Sequence, residues 1–196
     1  MKNILYILPF FLLLSCGDSG SSNNATTTSA PAPVNVGDYE TTPIPGVDGL
    51  VRAIKKNGVG RTMEEGTLLN GQKHGAWLIY DDVKQTIIEI INYHNGKRSG
   101  MTIKPNFARL AEKSYYANDI LHGAKETYGS SAKPTASSTY INGKLEGKVV
   151  KYYDDGNTLK EESNYKNGVM HGSSKYYDQE GNVKLEYTYE NGKMVK

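Results

Sequence analysis

Val183, Leu185, Tyr187 and Tyr189 alternate with Lys184, Glu186 and Thr188. A period of two predicts a half-buried strand, with the apolar set on one side of a sheet. Asn191-Gly192 follows at once. Asn-Gly is the strongest short-range hairpin signal, because a type I′ turn needs positive φ at both central residues. Asn tolerates that region, and Gly has no Cβ to clash. Upstream, "KVVKYY" follows Asn142-Gly143 and "SSKYY" follows Asn167-Gly168. Both runs are rich in strand-favouring residues. "DDGN" and "DQEGN" then turn the chain back. One unit therefore reads strand, Asn-Gly turn, strand, second turn.

The unit recurs. Aligned on Asn-Gly or its Asn-Asp equivalent, the asparagines are Asn70, Asn95, Asn118, Asn142, Asn167 and Asn191, separated by 25, 23, 24, 25 and 24 residues. The turn-forming pairs are Asn70-Gly71, Asn95-Gly96, Asn142-Gly143, Asn167-Gly168 and Asn191-Gly192. A glycine stands five residues after each of the first five asparagines: Gly75, Gly100, Gly123, Gly147 and Gly172. A tyrosine stands two residues before from the second unit on (Tyr93, Tyr116, Tyr140, Tyr165, Tyr189), and Leu68 holds that place in the first. Such periodicity is the signature of a repeat architecture. It predicts an all-β protein, a single-layer twisted antiparallel meander of about six β-hairpin repeats and roughly eleven or twelve strands, each repeat advancing about 10 Å. "LVRAIKK" (Leu50 to Lys56) admits either a helical turn or a first strand. Asp81-Asp82-Val83 lacks the second-turn glycine, Pro105 predicts an interrupted ladder or an edge, and residues 129–138 predict a longer, mobile loop.

The pattern Y-x-N-G-x-x-x-G-x-x-x-x-Y-Y-x-x-G is carried by Tyr140, Asn142, Gly143, Gly147, Tyr152, Tyr153 and Gly156. It resembles the bacterial variant of the MORN repeat, the "YwqK-like antitoxin component" family, over roughly residues 60 to 196. The resemblance implies a repeat scaffold used for interaction and implies no reaction. Its antitoxin label implies an alternative, an immunity-type protein that sequesters a toxin.

The N-terminal end changes the picture from a soluble repeat to an exported one. "ILYILPFFLLL" (Ile4 to Leu14) follows Lys2. It is shorter than the roughly 20 apolar residues a membrane span needs and fits the apolar region of a signal peptide. Leu13-Leu14-Ser15-Cys16 resembles a lipobox, which implies a signal peptide over 1–15 and acyl chains on Cys16. The alternative is a plain signal peptide with Cys16 incidental. Cys16 is the only cysteine, so no internal disulfide exists. Residues 16–47, rich in Ser, Thr, Asn, Gly and Pro, predict a lipid-anchored flexible tether, and residues 48–196 the repeat domain. The expected location is the bacterial cell envelope, anchored to a membrane, with the outer membrane the favoured site.

Charge and candidate chemistry then narrow the function. Loss of residues 1–15 removes one lysine and leaves 22 basic against 21 acidic residues. A near-neutral chain without charge runs offers no grip on nucleic acid. His74, His122 and His171 share one repeat position but lie two repeats apart. About 20 Å of sheet between neighbours excludes a shared metal ion, and each is read as a turn-side histidine satisfied by backbone. Glu89, Glu161, Glu162 and Glu186 are read as charges opposing Lys across strands. "GDSG" (Gly17 to Gly20) lacks any catalytic partner. No enzyme, cofactor or metal site is expected. Thirteen of the 15 tyrosines, all but Tyr6 and Tyr39, fall in the repeats. They predict cross-strand packing with a tyrosine-lined face for a protein or other envelope partner, or less favourably a glycan. Trp77, Tyr80 and Tyr93 are the expected exposed anchors of that face.

Overall fold

The computed structural model describes residues 34–196. No helix is present among the described residues, and every strand belongs to one antiparallel sheet. The strands are β1 (Val34–Val36), β2 (Tyr39–Pro43), β3 (Leu50–Lys56), β4 (Thr62–Leu69), β5 (Gln72–Tyr80), β6 (Ile87–His94), β7 (Lys97–Asn106) and β8 (Arg109–Ala117). The second half holds β9 (Ile120–Tyr128), β10 (Pro134–Ile141), β11 (Lys144–Leu145), β12 (Gly147–Tyr152), β13 (Leu159–Lys166), β14 (Val169–Tyr177), β15 (Val183–Glu190) and β16 (Lys193–Met194). Each pairs with its chain neighbours except that β11 pairs only β10, and β12 pairs β10 and β13. The sheet is thus the expected meander, with sixteen strands against the dozen foreseen.

The surplus lies mostly at the start. β1 and β2 occupy residues expected to be tether, so the sheet begins at Val34 and not near residue 48. Leu50–Lys56 is a strand. The predicted long loop shrinks to the turn before Pro134. Pro105 lies inside β7, where the register shifts beside Lys104. A bulge of this kind is where a strand accepts proline. In the Asp81-Asp82-Val83 turn, Asp81 Oδ1 accepts the amides of Val83 (3.0 Å) and Lys84 (2.7 Å), so an Asx turn replaces the glycine.

All five predicted Asn-Gly pairs take positive φ at both residues, for example Asn142 at 50° and Gly143 at 78°. Asn118-Asp119 does the same at 50° and 69°. These turns also link repeats. The amide of Gly96 donates to Lys73 O (2.9 Å), Gly143 to Leu121 O (2.8 Å), Gly168 to Leu145 O (2.8 Å) and Gly192 to Met170 O (2.8 Å). In these four turns the second residue therefore docks on the hairpin before it, whereas in the first turn the Asn70 amide donates to Gly49 O at 2.8 Å. Gly143→Val should raise the free energy of the native state by about 1–3 kcal/mol, since a β-branched residue is strained at positive φ. Thermal melting checks this, and an unchanged melting temperature refutes it.

The sheet has two long edges. One carries the Asn-Gly turns, and the opposite edge carries the second turns: residues 57–61, 81–86, 107–108, 129–133, 153–158 and 178–182. In a single layer little can be fully buried. Among the described residues the apolar core is Ala53, Leu68 and Trp77, packed by Tyr39, Val51 and Tyr93, with Ile91 also buried.

Candidate interaction face

Strand alternation puts every second side chain on one face, and the register extends that face across repeats. A central row runs through Thr41, Ala53, Gly66, Trp77, Ile91, Thr102 and Ser114, and resumes at Ser163 and Ser174. All but the half-buried Gly66 are buried, although most are small. Taller flanks explain the burial. On the Asn-Gly side stand Tyr93, Tyr116, Tyr140, Tyr165 and Tyr189, each half-buried and paired with Arg98, Leu121, Leu145, Met170 and Met194 respectively. Toward the other edge stand Glu64, Glu112 and Glu161, with Lys125 closing on Glu112 at 3.0 Å and Lys151 on Glu161 at 2.8 Å. The result is a shallow channel with a small-residue floor, a tyrosine wall and a charged wall. Ser163 and Ser174 satisfy each other across its floor at 2.8 Å. Thr102 Oγ1 and Ser114 Oγ lie buried there without a protein partner.

The first repeat closes this channel. The Trp77 ring lies over Gly66, where a Cβ would sit 2.5 Å from it. Its Nε1 donates to Thr67 O at 3.0 Å. Tyr39 and Tyr93 meet the ring edge-on at centroid distances of 5.3 and 6.3 Å. Lys73 Nζ lies 4.2 Å above it and closes on Glu64 at 2.6 Å, while Tyr39 Oη donates to the other Glu64 oxygen at 2.6 Å. Burial opposes ionisation of Glu64, yet the hydrogen bonds from Lys73 and Tyr39 outweigh it and hold the carboxyl below its usual range. Burial, reinforced by Glu64, drives the Tyr39 phenol upward.

The expected anchors are therefore corrected. Trp77 has no exposed surface, because Tyr39, from the stretch expected to be tether, covers it. Tyr93 packs against Trp77 and is half-buried. Tyr80 stands on the opposite face, where it donates to Glu65 Oε1 at 2.6 Å and burial with this bond pushes its phenol up to about 12. The three do not form one exposed set. The wall continues through Tyr116, Tyr140, Tyr165 and Tyr189, of which Tyr116 carries the Arg98 guanidinium 4.4 Å over its ring.

The other sequence candidates fall into the scaffold. His122 Nδ1 and His171 Nδ1 accept the amides of Asn142 and Asn191, both at 3.4 Å. Glu146 serves Asn167 in the same way at 2.8 Å. His74 Nδ1 is buried without a partner, and its ring lies 5.5 Å from that of His94. Glu89, Glu161, Glu162 and Glu186 each meet a lysine across strands. No group of three or more His, Cys, Asp or Glu able to hold a metal occurs among the described residues. Cys16 lies outside them.

Acid sensitivity follows from these carboxyls. Hydrogen bonds from Thr158 and from the amides of Asn157 and Thr158 lower Asp155 to about 2, and Tyr80 and Arg52 lower Glu65. A carboxyl lowered in the folded state contributes stability that is complete above its unfolded value, roughly pH 4, and is lost as pH falls toward the folded value. The urea midpoint should stay level from pH 7 to about 5 and drop between about 4 and 2. A midpoint that rises on acidification would refute the assignment.

No family model matches the chain, and no curated protein does. Among solved structures, a point mutant of S. aureus TarM in complex with fondaparinux, alpha-GlcNAc-glycerol and UDP aligns at a TM-score of 0.33 and 11% identity, over 69% of this chain and 21% of that one. A second TarM crystal structure aligns at 0.32 and 12%, over 68% and 22%. This chain spans about a fifth of the length of either.

Proposed function

We propose that this protein is an exported, lipid-anchored and non-catalytic scaffold that binds another protein or envelope component through its tyrosine wall. The observation that carries the reading is the continuity of that wall. Tyr116, Tyr140, Tyr165 and Tyr189 recur once per repeat on a single face, half-buried and beside apolar or basic neighbours. Tyrosine offers large contact area with a polar tip at low entropic cost, which is why interfaces favour it. Neighbouring rings stand about 10 Å apart along the sheet, two strand spacings. An extended partner laid across the strands would meet them in succession. The Leu-Leu-Ser-Cys16 sequence supports the anchor, since a lipidated cysteine with two or more chains holds a protein stably on a membrane.

A photo-crosslinking amino acid at Tyr140 or Tyr165 should give one discrete adduct in intact cells. The same group at Lys148 or Lys175, on the opposite face, should not. Equal adducts from both faces, or none from the wall, would sink the binding reading. Palmitate labelling that survives Cys16→Ser would sink the anchor.

A further inference from the structure

The second turns carry a pattern the scaffold does not use. Their tips fall every 24 residues at Val59, Val83, Phe107, Ser131 and Asp155, and after 25 more at Glu180. The first three are apolar and among the most exposed side chains, at 76%, 74% and 84%. The last three are polar or acidic. Folding does not demand the first set. Phe107 and Ala108 sit at φ of 47° and 62°, the pair of positions that every Asn-Gly turn fills with residues suited to them. Both Phe and Ala carry a Cβ that crowds the following carbonyl there. A large ring held in that conformation, exposed apart from the Lys84 ammonium 5.2 Å from its centroid, points to a role outside the fold.

We infer that Val59, Val83 and Phe107 are a membrane-contact edge, inserted into the lipid headgroup region beside the anchor. This rests on the lipid-anchored reading above. Neighbouring tips are two strands apart, so the three span about 20 Å in single file. Such a line has no patch of the roughly 800 Å² per partner that a stable protein interface buries. It suits a planar apolar boundary, which needs only depth. Charge agrees. Arg61, Lys84 and Arg109 each stand within two residues of a tip, as basic residues do where apolar groups enter an anionic surface. Two carboxylates share this stretch of the edge, Asp81, which caps its own turn, and Asp82, which accepts from Asn57, so the three basic groups outnumber them. The acidic tips Asp155 and Glu180 belong to the far end of the sheet. Attachment is also favourable. β1 reaches its turn at this same edge within three residues of Val34. The residues between Cys16 and Val34 reach at most about 60 Å, so they permit the contact without dictating it.

The test uses the full processed chain reconstituted into vesicles of phosphatidylethanolamine and phosphatidylglycerol. A fluorophore is attached at A108C, which leaves Phe107 in place, or at Q179C in the last acidic turn. Nitroxide lipids should quench the 108 label several-fold more than the 179 label, and iodide in the water should reach the 108 label less. V59S/V83S/F107S should abolish the difference, with its melting temperature unchanged because these side chains are exposed. Equal quenching at both labels overturns the inference, as does a triple variant that behaves like wild type. Shielding from iodide without nitroxide quenching would mean a protein contact, and also overturns it. Intact mass and vesicle flotation report the anchor separately. An unacylated chain that floats and keeps the 108 signal removes the anchor and leaves the edge standing, and a chain that does not float removes both.

Discussion

Trp77→Ala is expected to cost about 3–5 kcal/mol, the range for removing a large buried aromatic. Trp77 is the only tryptophan and has no exposed surface, in a sheet with little other core. Its loss removes the ring on which Tyr39 and Tyr93 pack and the acceptor face for Lys73. It also frees Glu64, whose partners Lys73 and Tyr39 are positioned by the same ring. Repeat arrays are held by neighbour-to-neighbour contacts, so the damage should be local. Amide exchange should accelerate in β2 to β5 and stay near wild type in β13 and β14, where Ser163 and Ser174 form an independent floor. Urea unfolding followed by circular dichroism gives the energy. A loss below about 1 kcal/mol, outside the range for such truncations, or exchange that rises evenly along the chain, would refute this account.

How much of this was legible depended on whether the deciding contact was local. The Asn-Gly turns were readable because their backbone conformation selects Asn and Gly residue by residue, and the structure has positive φ at each. The tyrosine wall was readable because each tyrosine keeps the same place two residues before its turn, although the repeats vary from 23 to 25 residues. β1 and β2 were not. "VNVGDYETTP" has the composition of a tether, and what orders it is Tyr39 meeting Trp77, a contact made 38 positions along the chain. The same contact misled the reading of Trp77 as an exposed anchor, since the residue that covers it was placed outside the domain. The small buried row was also hidden, because serine and threonine in a strand suggest solvent until their taller neighbours are known. One local signal was present and unused. Gly66 is the one residue without a side chain in the strand Thr62–Leu69, and a glycine there marks a close approach by something large.

That glycine makes the sharpest test of the first repeat. Gly66→Ala adds one methyl whose carbon would lie 2.5 to 2.6 Å from Cδ2, Cε2 and Cγ of Trp77. The backbone there lies outside the left-handed region, so strain is not the objection. In an open strand the change should even help, because glycine costs roughly 0.5–1 kcal/mol relative to alanine. Overpacking decides the sign instead. Two rigid groups cannot share the space, and the indole must leave its place between Tyr39 and Tyr93 or push β4 from β5. A loss of about 3 kcal/mol follows. Combined with Trp77→Ala the same methyl should be harmless or slightly stabilising, since the obstacle is gone. The double mutant should then be more stable than the sum of the single losses predicts by about 3 kcal/mol, a coupling of the size seen for residues in direct contact. Urea unfolding of the four proteins closes the cycle. Additive losses would show that the ring and the glycine do not share one space, and the closed end of the channel would need another cause.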